Sequence, residues 1–275
     1  MSIVPEVALN DGHAIPQFGL GVYKTPPDIT RDTVATAFGL GYRHIDTAAF
    51  YHNESGVGEA VAASNIPRDE LFITTKLWND AQGYDAALAA FDTSLARLGL
   101  DYVDLYLIHW PCPANDLFVD TWKAFLRLRE EGRVKSIGVS NFRQVDLETL
   151  IDKTGEVPAI NQIESHPFLQ QHALRDFHRR QGIITEAWAP LAKGGELLTN
   201  DIIQRIARKH QKTPAQVVLR WHLDIDTVVF PKSITQSRIK ENFDVFDFAL
   251  DEDDIAAIAT LDRNQRLGSD PSVVK

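Results

Sequence analysis

The stretch "LFITTKLWNDAQGYDAALAAFDTSLARLGLDYVDLYLIHW", residues 71–110, holds one complete structural repeat and the start of the next. "LFITTKL" and "VDLYLIHW" are short β-rich runs. Between them, "YDAALAAFDTSLARLGL" sets apolar residues three and four apart, the spacing of an amphipathic helix. Strand, helix and strand in that order predict a parallel pair joined by a right-handed crossover. The alternation continues outward in both directions. "QFGLGVY" and "YRHIDTA" precede it, "VKSIGVSN", "AINQIES", "IITEAWA" and "TVVFPKS" follow, and helical patterns such as "ITRDTVATAFGLG", "LFVDTWKAFLRLREEG" and "QVDLETLIDKTG" lie between. Eight such runs predict an α/β fold, a TIM-type (β/α)8 barrel. That fold needs about 250 residues, and the chain has 275. A doubly wound sheet is the rival, but no G-x-G-x-x-G follows an early strand.

The remaining segments fit around one barrel. "EVALNDGHAIP" has two short runs about Asn10, Asp11 and Gly12, which predicts an N-terminal β-hairpin closing the barrel floor. "DEDDIAAIATLD" predicts one extra C-terminal helix whose acidic first turn complements the helix dipole. No linker or charge block divides the chain, so a single domain over residues 1–275 is expected. With 28 Lys and Arg against 38 Asp and Glu, the formal charge of −10 opposes general nucleic-acid binding. The start, "MSIVPEVALNDGH", lacks the basic flank and apolar core of a signal peptide, and no eighteen-residue apolar run suggests a membrane span. A cytoplasmic location is the expectation, and the lone Cys112 suits it.

In barrels of this kind chemistry gathers at the C-terminal ends of the strands. The second run ends at Asp46 with Tyr51 just beyond, the third at Lys76, the fourth at His109, and the fifth at Ser140 and Asn141. The sixth supplies Gln162 and Glu164, the seventh Trp188 and the eighth Lys232. Singly, these residues have ordinary explanations: a structural ion pair, a core histidine, a rim tyrosine. Together they make a proton-donating set. A phenol of pKa near 10 needs a cation to become acidic at neutral pH, a buried lysine needs a carboxylate to stay charged, and a histidine can orient the acceptor. Such a set suits adding a proton to a carbonyl oxygen as hydride reaches the carbon. Tyr23, Phe50, Trp78 and Trp110 neighbour it in sequence and would ring the mouth with flat apolar surfaces. The tail after Asp262 is short and polar.

These residues carry a resemblance. "GYRHIDTAAFYHNE", "LDYVDLYLIHWP" and "FPKSITQSRIKENFDVFDF", with "TTKLW", "SIGVSNF", "NQIESHP" and "EAWAPLA" at the expected intervals, make the chain resemble the aldo-keto reductases nearly end to end. Within that family it is most similar to bacterial reductases of the 2,5-diketo-D-gluconate reductase type. The resemblance implies a (β/α)8 barrel, NADPH-dependent reduction of aldehydes and ketones (keto sugars or α-dicarbonyls among them), and a tetrad of Asp46, Tyr51, Lys76 and His109 with Tyr51 as proton donor. It implies that Ser140, Asn141 and Gln162 hold the nicotinamide carboxamide, that Trp188 stacks on the ring, and that the loop of Ala189, Pro190 and Leu191 covers the pyrophosphate. Lys232, Ser233, Ile234 and Arg238 would take the adenosine 2′-phosphate, with Glu241 and Asn242 near the adenine. Paired lysine and arginine favour NADPH, with NADH the weaker alternative. Ala189 departs from the glycine or serine common in relatives.

Two other classes compete. One is a cofactor-binding regulatory module with little turnover, which the intact tetrad opposes. The other is a metal-dependent hydrolase using His44, Asp46, His109 and His166, which Lys76 opposes, so no metal is expected. The expected partner is a small carbonyl compound, with no nucleic acid and no membrane, and the chain is taken as a monomer.

Overall fold

The structure is a computed structural model that describes residues 4–275. β1 (Glu6–Ala8) and β2 (Ala14–Pro16) pair antiparallel, with Val7 opposite Ile15, and Leu9 N donates to His13 O across the turn. This is the expected hairpin. The barrel strands follow as β3 (Gly19–Gly21), β4 (His44–Asp46), β5 (Phe72–Leu77), β6 (Val103–Ile108), β7 (Val134–Ser140), β8 (Ile160–Glu164), β9 (Ile184–Trp188) and β10 (Val228–Val229). Each is parallel to the next, and bridges from Phe18 to Val229 and from Gly21 to Lys232 close the ring.

The eighth strand is shorter than the "TVVFPKS" run suggests. β10 ends at Val229, because Pro231 has no N–H to continue a ladder, and Lys232 stands beyond it on an isolated bridge. His109 likewise lies one residue past β6, tied by its N–H to Leu77 O.

The helices are α1 (Pro27–Gly39), α2 (Glu54–Ala63), α3 (Tyr84–Leu98), α4 (Phe118–Glu130), α5 (Gln144–Thr154), α6 (His172–Gln181), α7 (Glu196–Thr199), α8 (Asp201–His210), α9 (Pro214–Asp224), α10 (Gln236–Phe243) and α11 (Glu252–Ala259). Asp251 caps α11 by accepting from Asp254 N. Sequence reading anticipated one helix beyond the repeat, α11. α8 is another, inserted between β9 and β10. It packs with α9 and α11 in a second apolar cluster of Ile203, Ile206, Val217, Trp221 and Ile258, separate from the main wall.

Strand periodicity decides which side chains enter the barrel. Ile73 and Leu77 of β5, and Tyr106 and Ile108 of β6, face the helices. Their neighbours Phe72, Leu105 and Leu107 pack inward with Ile160, Val228 and the hairpin's Leu9 and Ile15, forming a dry floor. The same inward parity, one or two steps higher, carries Asp46, Lys76, Gln162, Glu186 and Trp188 towards the opposite end.

Outside the barrel, α2 and α3 touch at Gly58, where a Cβ would stand 2.0 Å from Leu98 O. Backbone cannot yield as a side chain can, so Gly58→Ala is expected to cost about 2 kcal/mol by overpacking. A lowered urea midpoint at unchanged slope checks this.

Candidate active site

Lys76 projects from β5 into the barrel and is fully buried. Its ammonium donates to Asp46 Oδ1 at 2.6 Å, to Thr47 O at 2.8 Å and to the Tyr51 hydroxyl at 3.3 Å. All three N–H donors therefore have acceptors. Asp46 reaches Lys76 because β4 and β5 pair with Asp46 opposite Thr74. Tyr51 comes back over the same spot because the chain turns sharply through a 3-10 turn, Ala49–Tyr51, and a left-handed His52 before α2 begins. Asn53 secures that turn by donating to Val22 O and Thr25 O while accepting from Thr47.

His109 stands edge-on to Tyr51, with ring centroids 5.8 Å apart. Burial first, and the Lys76 charge second, hold its imidazole well below the usual range, so it is neutral. Burial pushes the Asp46 carboxyl above the usual carboxylate range, against the pull of the Lys76 charge and of hydrogen bonds from Lys76 and Gln162. The phenol behaves differently from the sequence expectation. Lys76 points at Tyr51 as anticipated, but the resting phenol is not acidified. Burial, followed by the charge of Asp46, raises it well above the ordinary value.

Three of the four pocket aromatics converge. Phe50 stacks on Trp78 at 3.7 Å and 16°, Trp78 stands edge-on to His109 at 5.0 Å, and Tyr23 lies 5.0 Å from the Tyr51 ring. Among the described residues the Trp110 ring stacks on none of the others, and its carbonyl accepts from Gln82.

Across the mouth, Ser140 Oγ donates to Gln162 O, and Asn141 donates to His109 O and Ser140 Oγ. Asn141 has φ 63°, a left-handed conformation that asparagine tolerates, and its Oδ1 accepts from Trp188 Nε1 at 2.8 Å, which orients the indole. Gln162 gives both amide hydrogens inward, to Asp46 Oδ2 and Glu186 Oε2. Only its carbonyl oxygen is left for a ligand. Ala189 has φ 50°, in the left-handed region that favours glycine, and Pro190 O is approached by buried His222. Leu191 packs against both apolar clusters.

At the far edge, Ser233 Oγ accepts from Thr235 N, while Ile234 and Arg238 are exposed. Lys232 is pushed down by partial burial and by Lys24 beside it. Two ammonium groups repelling one another fit an anion such as a phosphate. Asn242 is buried, and the Glu241 carboxylate is engaged by the Thr213 hydroxyl that caps α9.

The tail is tethered at several points. Glu164 accepts from Leu267 N at 2.6 Å and Gly268 N at 2.9 Å, and the Lys275 carbonyl accepts from Asn79. Lys193 of the loop after β9 donates to Leu267 O. Gly268 lies so close to Trp188 that a Cβ would fall 2.4 Å from the indole. Residues 263–275 thus cross the rim. Sequence reading placed Glu164 at the mouth without a role, and missed Glu186. Its signal was parity: Glu186 precedes Trp188 by two, so both point inward. His44, Asp46, His109 and His166 do not form a common ligand set, and no three His, Cys, Asp or Glu among the described residues come together to hold a metal.

The profile of the aldo/keto reductase family matches residues 16–263. The chain belongs to that family. An aldo-keto reductase of Mycolicibacterium smegmatis is 58% identical over 97% of this chain and 97% of its own. The methylglyoxal reductase DkgA of Escherichia coli is 51% identical over 96% of each chain. The crystal structure of a Gox0644 mutant in complex with NADPH superposes with a TM-score of 0.95 at 51% identity, covering 99% of both chains. Among the described residues no helix of this family member is long and apolar enough to cross a membrane.

The buried ion pair at its centre has a measurable consequence. Lys76→Met leaves Asp46 as an uncompensated buried acid and is expected to cost about 3 kcal/mol, whereas adding Asp46→Asn recovers much of that loss. A double-mutant cycle in urea checks the sign.

Proposed function

We propose that this chain reduces aldehydes and ketones to alcohols with NADPH, Tyr51 supplying the proton. The observation that carries the reading is the Lys76 ammonium, held on Asp46 and aimed at the Tyr51 oxygen. When bound, the reduced nicotinamide supplies hydride to the carbonyl carbon. Tyr51 enters the reaction as a neutral phenol, the form that has a proton to give. As that proton passes to the carbonyl oxygen, the Lys76 N–H becomes a charge-assisted bond to phenolate, worth about 1.5–3 kcal/mol in the transition state. His109, neutral, donates an N–H to the same oxygen and cannot act as an imidazolium acid.

Ser140, Asn141 and the Gln162 carbonyl would hold the carboxamide, and Trp188 would lie against the ring. The loop of Ala189, Pro190 and Leu191 would pass over the pyrophosphate. Lys232, Ser233, Ile234 and Arg238 would surround the 2′-phosphate, with NADH a weaker alternative, and Glu241 and Asn242 would lie near the adenine. The wall of Tyr23, Phe50 and Trp78 suits small α-dicarbonyls and flat aldehydes, in keeping with the name of the E. coli relative. A monomer in the cytoplasm, without nucleic acid, completes the reading.

Tyr51→Phe is expected to keep NADPH binding, followed by fluorescence, and to lose about 10³-fold in turnover. A rate within tenfold of wild type overturns the donor role. Arg238→Ala is expected to raise the NADPH KM by about tenfold or more and leave that for NADH nearly unchanged.

A further inference from the structure

Glu186 lies on the inward face of β9, fully buried, two residues below Trp188. Neither the proton-donating set nor the expected cofactor contacts use it. Gln162 Nε2 sits between two acids, 2.9 Å from Asp46 Oδ2 and 2.9 Å from Glu186 Oε2. A primary amide has two N–H donors, and both are engaged here. A continuous path therefore runs from Glu186 through Gln162, Asp46 and Lys76 to the Tyr51 hydroxyl. Two buried carboxyl groups with one ammonium between them do not both ionise readily. The Asp46 carboxylate holds that ammonium at 2.6 Å, so Glu186 is the member left uncharged.

We infer that Glu186 is a positioning residue of this site, a neutral acid that through Gln162 holds Asp46 on Lys76 and turns the Gln162 carbonyl towards the cofactor. The inference rests on the reductase reading. The groups facing Glu186 are few. His44 Nε2 of β4 is 3.7 Å from its other oxygen, and burial pushes that imidazole down to about 3, so it is uncharged. Asp46 also faces it from β4, Lys76 from β5 and Gln162 from β8, whereas Val228, its partner on β10, brings no charge. Burial first, and the Asp46 charge second, push the Glu186 carboxyl up to about 8. Once ionised, it adds a second negative charge facing the site and raises the Tyr51 phenol further, making a poorer donor. Reduction should therefore weaken as pH rises past this ionisation.

The infrared difference between wild type and Glu186→Gln, recorded without substrate, is expected to show a protonated-carboxyl stretch at pH 7 that vanishes with a midpoint about pH 8. A carboxylate band at pH 7 overturns the neutral acid. With NADPH and a small aldehyde, wild-type kcat is expected to fall about tenfold from pH 7 to pH 9, the loss of neutral form for one group of pKa about 8. Glu186→Gln keeps an oxygen for Gln162 but cannot ionise, so its kcat ratio over the same range should stay within about threefold. Superposed profiles overturn the inference. A wild-type profile with no ionisation near pH 8 does so too, even if the variant fails to fold. Absence of wild-type NADPH turnover at pH 7 would instead overturn the reductase reading, and the infrared result would still decide the state of Glu186.

Discussion

Every part of the site leans on one buried ammonium. Lys76 has no exposure, and a buried charge is costly unless it is paired and hydrogen-bonded. Asp46, Thr47 O and Tyr51 are those acceptors, and each arrives from a different piece of backbone: the end of β4, the residue after it, and the turn before α2. Satisfying the Lys76 ammonium therefore requires correct pairing of β4 with β5 and correct closure of the turn that returns Tyr51. Any slip by one residue would send Asp46 to the helix side and leave the ammonium alone.

The barrel interior is divided by height. Below, Phe72, Leu105, Leu107, Ile160 and Val228 meet the hairpin's Ile15 in a buried apolar cluster. Above, on the same inward parity, stand the acids, the amide and the ammonium. The dry floor makes electrostatics strong in the layer over it: the same burial that holds His109 neutral raises Tyr51, Asp46 and Glu186. The tail completes the enclosure from the other side, pinned by Glu164 under Trp188 and reaching the loop after β5.

Much of this was legible in the sequence because the repeat is local. Runs such as "LFITTKL" show strand composition without help from distant residues, and Asp46, Lys76 and His109 could be set at strand ends by counting. Proton affinities were not legible in the same way. Sequence reading acidified Tyr51 because it gave Asp46 only the task of keeping Lys76 charged. The folded barrel adds burial and the opposing charge of Asp46, and those win. Nor was the stacking of Phe50 on Trp78 legible, twenty-eight residues apart as they are in the chain.

Taken alone, the sequence determined the order of strands and helices and set Asp46, Lys76 and His109 at strand ends, because these follow from periods of two and of three to four along the chain. Tertiary structure decided what depends on distance between remote segments: that Gln162 turns its amide inward between two acids, that the polar tail folds over Trp188, and that burial and the Asp46 charge raise the phenol. Coulomb energy and desolvation are set by separation and burial in space, and neither is written in residue spacing.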